Sequence, residues 1–343
     1  MSSGRILVTG ANGFIAAYCI AELLAQDYAV VASVRSADRI TAVLDAHSHN
    51  PLLTTAIVPD LTKPDAFDAA IVSCDGVLHL ASPFTYDCTD VEAELLLPSI
   101  RGAEAICLAA SKTPSVRRVV LTSSFAAVFD AAAGLAPGRV YTAQDWSPLT
   151  YEDGKAASDA PPVAYRASKK LAEDAAWQFV KRQKPHWDLV TLCPGMVFGP
   201  LWPGTLSSLG RLNVSNSIIW GLVDAAVVPA TKAPLWTAVT ALAEAHVAAL
   251  KVPEASNSRF LVINGNFDMQ ELADIIHASD NVPAALKKRV PLGSPGERLT
   301  GKVFTADSSD TIRVLGIKLQ DELSDVVVDL LLQLAKIESH EET

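Results

Sequence analysis

Short apolar runs rich in β-branched residues alternate with longer segments of helical periodicity through the first half of the chain. Arg5 to Thr9, Ala29 to Val34, Thr54 to Val58, Gly76 to Leu80, Val119 to Thr122 and Leu189 to Cys193 read as strands. Gly13 to Gln26, Ala37 to His47, Ala66 to Val72, Val91 to Ser111 and Pro162 to Arg182 read as helices between them. Strands that are apolar on both faces and alternate with helices predict an α/β fold, with a parallel sheet covered on both sides. The alternation stops at Pro194. From there to Ala233 the chain is rich in Pro, Gly, Ser and Asn, with Trp202 and Trp220 interspersed. A helix from Leu235 to Leu250, a strand from Arg259 to Ile263 and a mainly helical tail from Glu271 to Thr343 follow.

The segment Thr9-Gly10-Ala11-Asn12-Gly13-Phe14-Ile15-Ala16 joins the first strand to the first helix. Gly10 permits a tight turn, and Gly13 lets the backbone approach a pyrophosphate. The helix N-terminus beyond them offers unpaired N–H groups and a positive dipole end. Thr9, Gly10, Asn12, Gly13, Phe14 and Ile15 are therefore the expected dinucleotide cradle, in the strand–turn–helix context that such a motif requires. The second strand should end on the residue that reads the ribose. An acid there accepts from ribose hydroxyls, but this chain carries Arg35, with Arg39 one helical turn on. Two guanidinium groups suit a 2′-phosphate, which predicts NADP(H) rather than NAD(H).

Tyr165 and Lys169 are four apart in a helical segment and share one face. They come about 40 residues after the strand that ends Leu121-Thr122-Ser123-Ser124. Carbonyl reduction needs a hydride at carbon and a proton at oxygen. A phenol has a pKa near ~10 and gives its proton readily only if a nearby cation lowers that value. Tyr165 is the candidate general acid, with Lys169 perturbing it. A serine hydroxyl would polarise the carbonyl and stabilise developing charge.

The TGxxGxxA cradle, the Thr-Ser-Ser strand end and the Tyr-x-x-x-Lys pair together resemble the extended short-chain dehydrogenase/reductase family. The resemblance covers most of residues 5 to 200. It implies a Rossmann-type doubly wound parallel sheet with a smaller, mainly helical substrate-binding lobe. Residues 1–195 would form the dinucleotide-binding domain, with returns near 235–265. Residues 196–234 and 266–343 would form the lobe. The family pattern puts the catalytic serine at the second Ser, Ser124, in a register good to one residue. It gives Lys169 a second task, holding the nicotinamide ribose. It also implies that Asp60 and Leu61 flank the adenine, that Leu80, Ala81 and Ser82 pack against the cofactor, and that Pro194, Gly195 and Val197 back the nicotinamide. His79 and Cys193 read as buried structural residues.

The stretch Thr113 to Ser124 and the segment Leu171 to Trp177 are similar to fungal NADPH-dependent ketone and aldehyde reductases related to dihydroflavonol reductases. Two positions depart from the plant branches. Phe129 stands where the flavonoid enzymes carry Asn, and Pro162-Val163-Ala164-Tyr165 replaces the NWYCY stretch of cinnamoyl-CoA reductases. The substrate pocket is expected at Phe84, Phe125, Phe129, Met196, Trp202 and Trp220, which predicts ketones, aldehydes and oxo-esters with apolar flanks. Two rivals remain on the same fold. One is a nucleotide-sugar epimerase or dehydratase, disfavoured because Arg211 is the one arginine between Gln183 and Ser258. The other is an NADP-sensing regulator, disfavoured by the intact Ser124, Tyr165 and Lys169.

Composition narrows the partners. The 343 residues are 50% hydrophobic and 19% charged, enough for a sizeable core, and wholesale disorder is excluded. A net charge of −10 argues against nucleic acid or anionic membranes as partners. The five cysteines contain no CxxC pair, so neither a disulfide framework nor a cysteine zinc site is expected, and a reducing compartment, the cytoplasm, fits. No metal site is expected. There is no HExxH, and His47 and His49 read as a solvated helix end. No apolar run reaches the ~18 residues of a membrane span. No signal peptide is expected, since Ser2-Ser3-Gly4 leads directly into a strand. The expected assembly is a monomer or homodimer.

Overall fold

The structure is a computed structural model that describes residues 3–83, 88–206 and 208–341. In chain order, β1 (Arg5–Thr9), α1 (Phe14–Ala25), β2 (Ala29–Val34), α2 (Ile40–Ala46), β3 (Leu53–Ile57) and β4 (Gly76–His79) form the first half-sheet and its cover. α3 (Leu97–Lys112), β5 (Arg118–Thr122), the short β6 (Val140–Tyr141), α4 (Tyr151–Lys155), α5 (Pro161–Gln183) and β7 (Asp188–Pro194) follow. The remainder comprises β8 (Met196–Phe198), α6 (Val214–Trp220), β9 (Leu235–Ala238), α7 (Val239–Lys251), β10 (Ser258–Val262) and β11 (Gly265–Asn266). The chain ends with α8 (Met269–Ala278), α9 (Ala284–Lys287), β12 (Thr305–Ala306), α10 (Ser309–Leu315) and α11 (Leu323–Glu341).

Seven parallel strands form the main sheet in the order β10-β7-β5-β4-β1-β2-β3. The β-branched runs form the inner strands because both of their faces are covered, while the edge strand β3 is largely open. On one face α1 and α7 pack against Val8, Val30, Leu78, Val120 and Val190. On the other, α3 and α5 pack against Leu7, Val31, Val77, Val119 and Leu189. A third core joins α6, α8 and α11 to Phe198, Leu201, Trp236 and Phe267, beside a three-stranded sheet of β11, β9 and β8. The smaller lobe is thus built on a strand framework as well as helices.

Four expectations are corrected. Residues 66–72 form successive turns, not a helix. The amides of Ala66, Asp68 and Cys74 bond carbonyls three residues back, and the i→i−4 ladder does not propagate. Phe67, Ala70 and Ile71 are nevertheless buried, as their i, i+3, i+4 spacing requires. The segment Leu235 to Ala238 is strand, not the start of a helix. Two flanking strands, parallel β8 and antiparallel β11, pair with it and override its helix-like apolar run. Residues 37–47 split into a 3₁₀ turn at Ala37–Arg39 and the shorter α2. Finally, His47 is buried. Its ring stacks on Trp202 at 5.7 Å, and desolvation pushes its pKa down to about 4. Only His49 is exposed, 2.7 Å from Asp45.

Candidate active site

The order of the main sheet reverses between β1 and β4, and the ends of these strands open the crevice where α/β sheets bind ligands. Thr9 ties the two ends together. Its Oγ1 accepts from the amides of Leu80 at 3.1 Å and Ala81 at 3.0 Å and lies 3.0 Å from Nδ1 of His79. With both acceptor positions used, the Thr9 hydroxyl donates to Nδ1, so the ring proton of His79 sits on Nε2. Burial, with a smaller contribution from the Lys169 charge, pushes His79 down to about 3. This ring stays neutral and structural.

Gly10 adopts φ +68°, and a Cβ on it would stand 3.0 Å from the Ala81 backbone. A side chain is excluded on both counts. Gly13 caps α1 without a side-chain cap bond. The first amides of α1, at Phe14, Ile15 and Ala16, have no intrahelical acceptor, and the exposed Asn12 precedes them. That donor set fits a pyrophosphate.

Arg35 and Arg39 are exposed beyond β2. Nε of Arg39 lies 3.1 Å from the Asp38 carboxylate. Hydrogen bonds from Thr62 hold the Asp60 carboxyl below its ordinary range, and Lys63 and Arg35 add to this. Leu61 occupies the space left by Gly102 on α3, where a Cβ would come within 2.3 Å of Cδ1 of Leu61. Ser82 follows at the half-buried end of β4. On the other side of the crevice β7 ends at the buried Pro194. Gly195 packs so closely that a Cβ would meet the Leu235 carbonyl oxygen at 2.6 Å, and its amide donates to Oγ1 of Thr237 at 2.9 Å. Val197 pairs with Thr237 across β8 and β9.

The two candidate serines are separated by their partners. Ser123 is buried and donates to Oε2 of Glu173 at 2.6 Å. Ser124 is half-buried and caps the 3₁₀ turn Phe125–Ala127, accepting from the Ala126 amide at 3.1 Å. Its own O–H remains to donate. The helix α5 packs on this turn and carries Tyr165 and Lys169 one turn apart on one face. Crowding of Lys169 by protein lowers its pKa to about 8, against the opposing pull of Glu173 and Cys193. Cys193 is buried and pushed up to about 12, a small packed residue rather than a nucleophile.

The expected pocket residues divide. Met196 and Trp220 are half-buried on the lobe core. Phe129 is half-buried, with the Arg166 guanidinium 5.8 Å from its ring centre. Phe125 is buried in an aromatic cluster with Phe129, Tyr141 and Phe304, so it is core. Trp202 is turned to the dinucleotide-binding domain. It packs on Tyr18 and His47, and its Nε1 donates to the Ala46 carbonyl at 2.8 Å. This side chain pins the lobe to α1 and α2, and the sequence alone gave no register for that. Phe84 lies outside the described residues. Sequence reasoning missed Glu173 and Arg259, a buried ion pair behind the serines with Nε 2.7 Å from Oε1. The four-residue step from Lys169 to Glu173 was visible, but the contact with Arg259, 86 positions away, was not.

Comparison with known proteins gives the same picture. The NADPH-dependent methylglyoxal reductase of Saccharomyces cerevisiae is 35% identical over 97% of this chain and 98% of its own length. A ketoreductase of Aspergillus niger is 35% identical over 92% of this chain and 94% of its own. The crystal structure of the yeast methylglyoxal/isovaleraldehyde reductase complexed with NADPH superimposes with a TM-score of 0.90 at 33% identity, covering 98% of this chain and 99% of that one. Residues 7–267 match the model of the 3-beta hydroxysteroid dehydrogenase/isomerase family, and the chain belongs to that family within the extended short-chain dehydrogenase/reductases.

Proposed function

We propose that this protein is an NADPH-dependent carbonyl reductase that converts ketones, aldehydes and oxo-esters to alcohols. The observation that carries the reading is the division of labour at the end of β5. Ser123 is committed to a buried carboxylate, while Ser124 is half-buried and caps the turn on which α5, the helix bearing Tyr165 and Lys169, packs.

NADPH, when bound, supplies the hydride. The uncapped start of α1, with Asn12 and Gly13, would hold the pyrophosphate, and Arg35 and Arg39 the 2′-phosphate. Asp60, Leu61 and the Leu80-Ala81-Ser82 turn would line the adenosine and ribose side, with Pro194, Gly195 and Val197 opposite. Ser124 accepts from Ala126, so its proton is free to bind the substrate oxygen and stabilise charge there. Tyr165 would deliver the proton to that oxygen. Charged Lys169 would favour release of the proton and hold the nicotinamide ribose.

Several half-buried residues around the lobe core are apolar. Met196, Leu206, Leu209, Leu212 and Trp220 pack there. Such a surface suits neutral substrates with apolar flanks, recognised polarly at one oxygen. Each added methylene should contribute up to ~0.8 kcal/mol while the pocket has room. The described cysteines are all free, four of them buried, which suits a reducing compartment such as the cytoplasm. The test is NADPH consumption with a panel of oxo-esters, their free acids and sugar phosphates. The neutral esters should have the highest kcat/KM. Faster turnover of the free acids or phosphates would overturn the substrate class.

A further inference from the structure

Glu173 is the third member of a row on α5, one turn beyond Lys169 and two beyond Tyr165. It is wholly buried. Its Oε1 accepts from Oγ1 of Thr191 at 2.7 Å and Nε of Arg259 at 2.7 Å. Its Oε2 accepts from Oγ of Ser123 at 2.6 Å and Nη2 of Arg259 at 3.0 Å. One carboxylate thus joins α5 to β5, β7 and β10.

Arg259 extends the join. Nη2 also donates to the Ala127 carbonyl at 3.2 Å, and Nη1 to the carbonyls of Ala143 at 3.0 Å and Asp145 at 2.5 Å. The guanidinium lies 3.9 Å from the centre of the Trp146 ring. Ser123 immediately precedes Ser124 and Ala127 lies three residues beyond it, so the pair grips the chain on both sides of the candidate catalytic serine. A paired, hydrogen-bonded buried charge resists displacement, because separating its members strands a charge away from water.

The geometry points to the Glu173–Arg259 pair as the positioning unit of the catalytic set, which clamps both sides of Ser124 and presents a carboxylate behind Lys169. This rests on the reading that Ser124, Tyr165 and Lys169 perform the reduction. Neither member of the pair needs to touch substrate. Glu173 and Tyr165 flank Lys169 on α5, His79 faces it from β4 and Cys193 from β7. Across the assay range His79 stays neutral and Cys193 stays a thiol, with values about 3 and about 12. Glu173 is therefore the negative charge among these neighbours.

Glu173→Gln keeps the shape but removes the charge, and its amide NH2 faces an Arg259 N–H where an acceptor stood, so one of the two arginine bonds is lost. Its kcat should fall at least tenfold, with carbonyl KM and NADPH Kd within threefold of wild type. The alkaline limb of the kcat–pH profile should move to lower pH by about half a unit or more, because Lys169 loses the carboxylate that favours its charge. Ser123→Ala removes only the grip on β5. It should lower kcat several-fold without moving the profile. A lower Tm in Glu173→Gln with kcat and the pH profile unchanged would overturn the inference, since a merely structural pair behaves that way. If Glu173→Gln does not fold, Ser123→Ala decides: reduced kcat supports the clamp and wild-type kcat overturns it. Tyr165→Phe run alongside separates the two levels. Its inactivity, with normal Glu173 and Ser123 variants, sinks only the clamp; its full activity sinks the catalytic assignment itself.

Discussion

Removing Arg35 and Arg39 should erase the preference for NADPH. The structure sets unequal weights for the two. Hydrogen bonds to charged groups contribute about 1.5–3 kcal/mol, and solvent exposure of both side chains argues for the low end. Among the described residues Arg35 makes no ion pair, with Asp60 a nearby negative charge, so it can give nearly its full interaction to a phosphate. Arg39 already rests 3.1 Å from Asp38 and would exchange one exposed ion pair for another. Arg35→Ala should therefore cost about 1.5 kcal/mol, or roughly a tenfold rise in NADPH Kd. Arg39→Ala should cost about 0.5 kcal/mol, or roughly twofold. The double variant should lose roughly 20-fold if the sites act independently. NADH affinity should change by less than twofold throughout. Fluorescence titration of both cofactors at low and moderate salt is the assay, and the NADPH penalty should shrink with salt. Equal loss for NADPH and NADH would show that the arginines support the fold. A wild-type preference for NADH would refute the reasoning outright.

Tyr165→Phe should bind NADPH normally and lose nearly all turnover; Ser124→Ala should lose about 10²–10³-fold in kcat, the scale of one oxyanion donor, in steady-state assays. Lys169 binds its proton in the folded protein only below about 8, against an ordinary value of 10.5. Its unfavourable desolvation is thus fully present below pH 8 and relieved as pH rises toward 10.5, so Lys169→Met should raise stability at pH 7 while abolishing activity. Because the side chain is partly exposed, the gain should be about 1–2 kcal/mol, read by denaturant unfolding. The reduction rate of the wild type should fall as pH rises through about 8, where Lys169 loses its charge. Trp202→Ala should cost about 2 kcal/mol of stability and leave kcat/KM for a small aldehyde within twofold; a large change in substrate preference would return this ring to the pocket.

The main sheet was legible because its central strands are buried on both faces and read as apolar runs; the edge strand β3, with Thr54 and Ile57 exposed, is the exception. The cradle was legible because Gly10 and Gly13 have a local backbone reason to be glycine. Legibility failed where long-range partners decide. Leu235 to Ala238 is apolar enough for either element, and pairing with β8 and β11 makes it strand. Trp202 and His47, 155 positions apart, each looked exposed or site-lining until they met; the indole stacks on the buried His47 ring. The 66–72 segment kept its burial pattern while losing its helical ladder, since side-chain spacing reports which residues face the core, not which carbonyl each amide chooses. At the candidate site the choice of Ser124 over Ser123 came from a family pattern, and the physical reason appears only with Glu173 in view.

The most direct test follows the hydride. NADPH carrying deuterium at the reactive C4 position is incubated with the protein and an aryl ketone, and the alcohol is examined by NMR and mass spectrometry. The account predicts one deuterium on the carbinol carbon, an unlabelled hydroxyl in ordinary water, and one NADPH consumed per alcohol formed. An alcohol without deuterium at that carbon, or no alcohol from any ketone or aldehyde while NADPH remains bound, would contradict it.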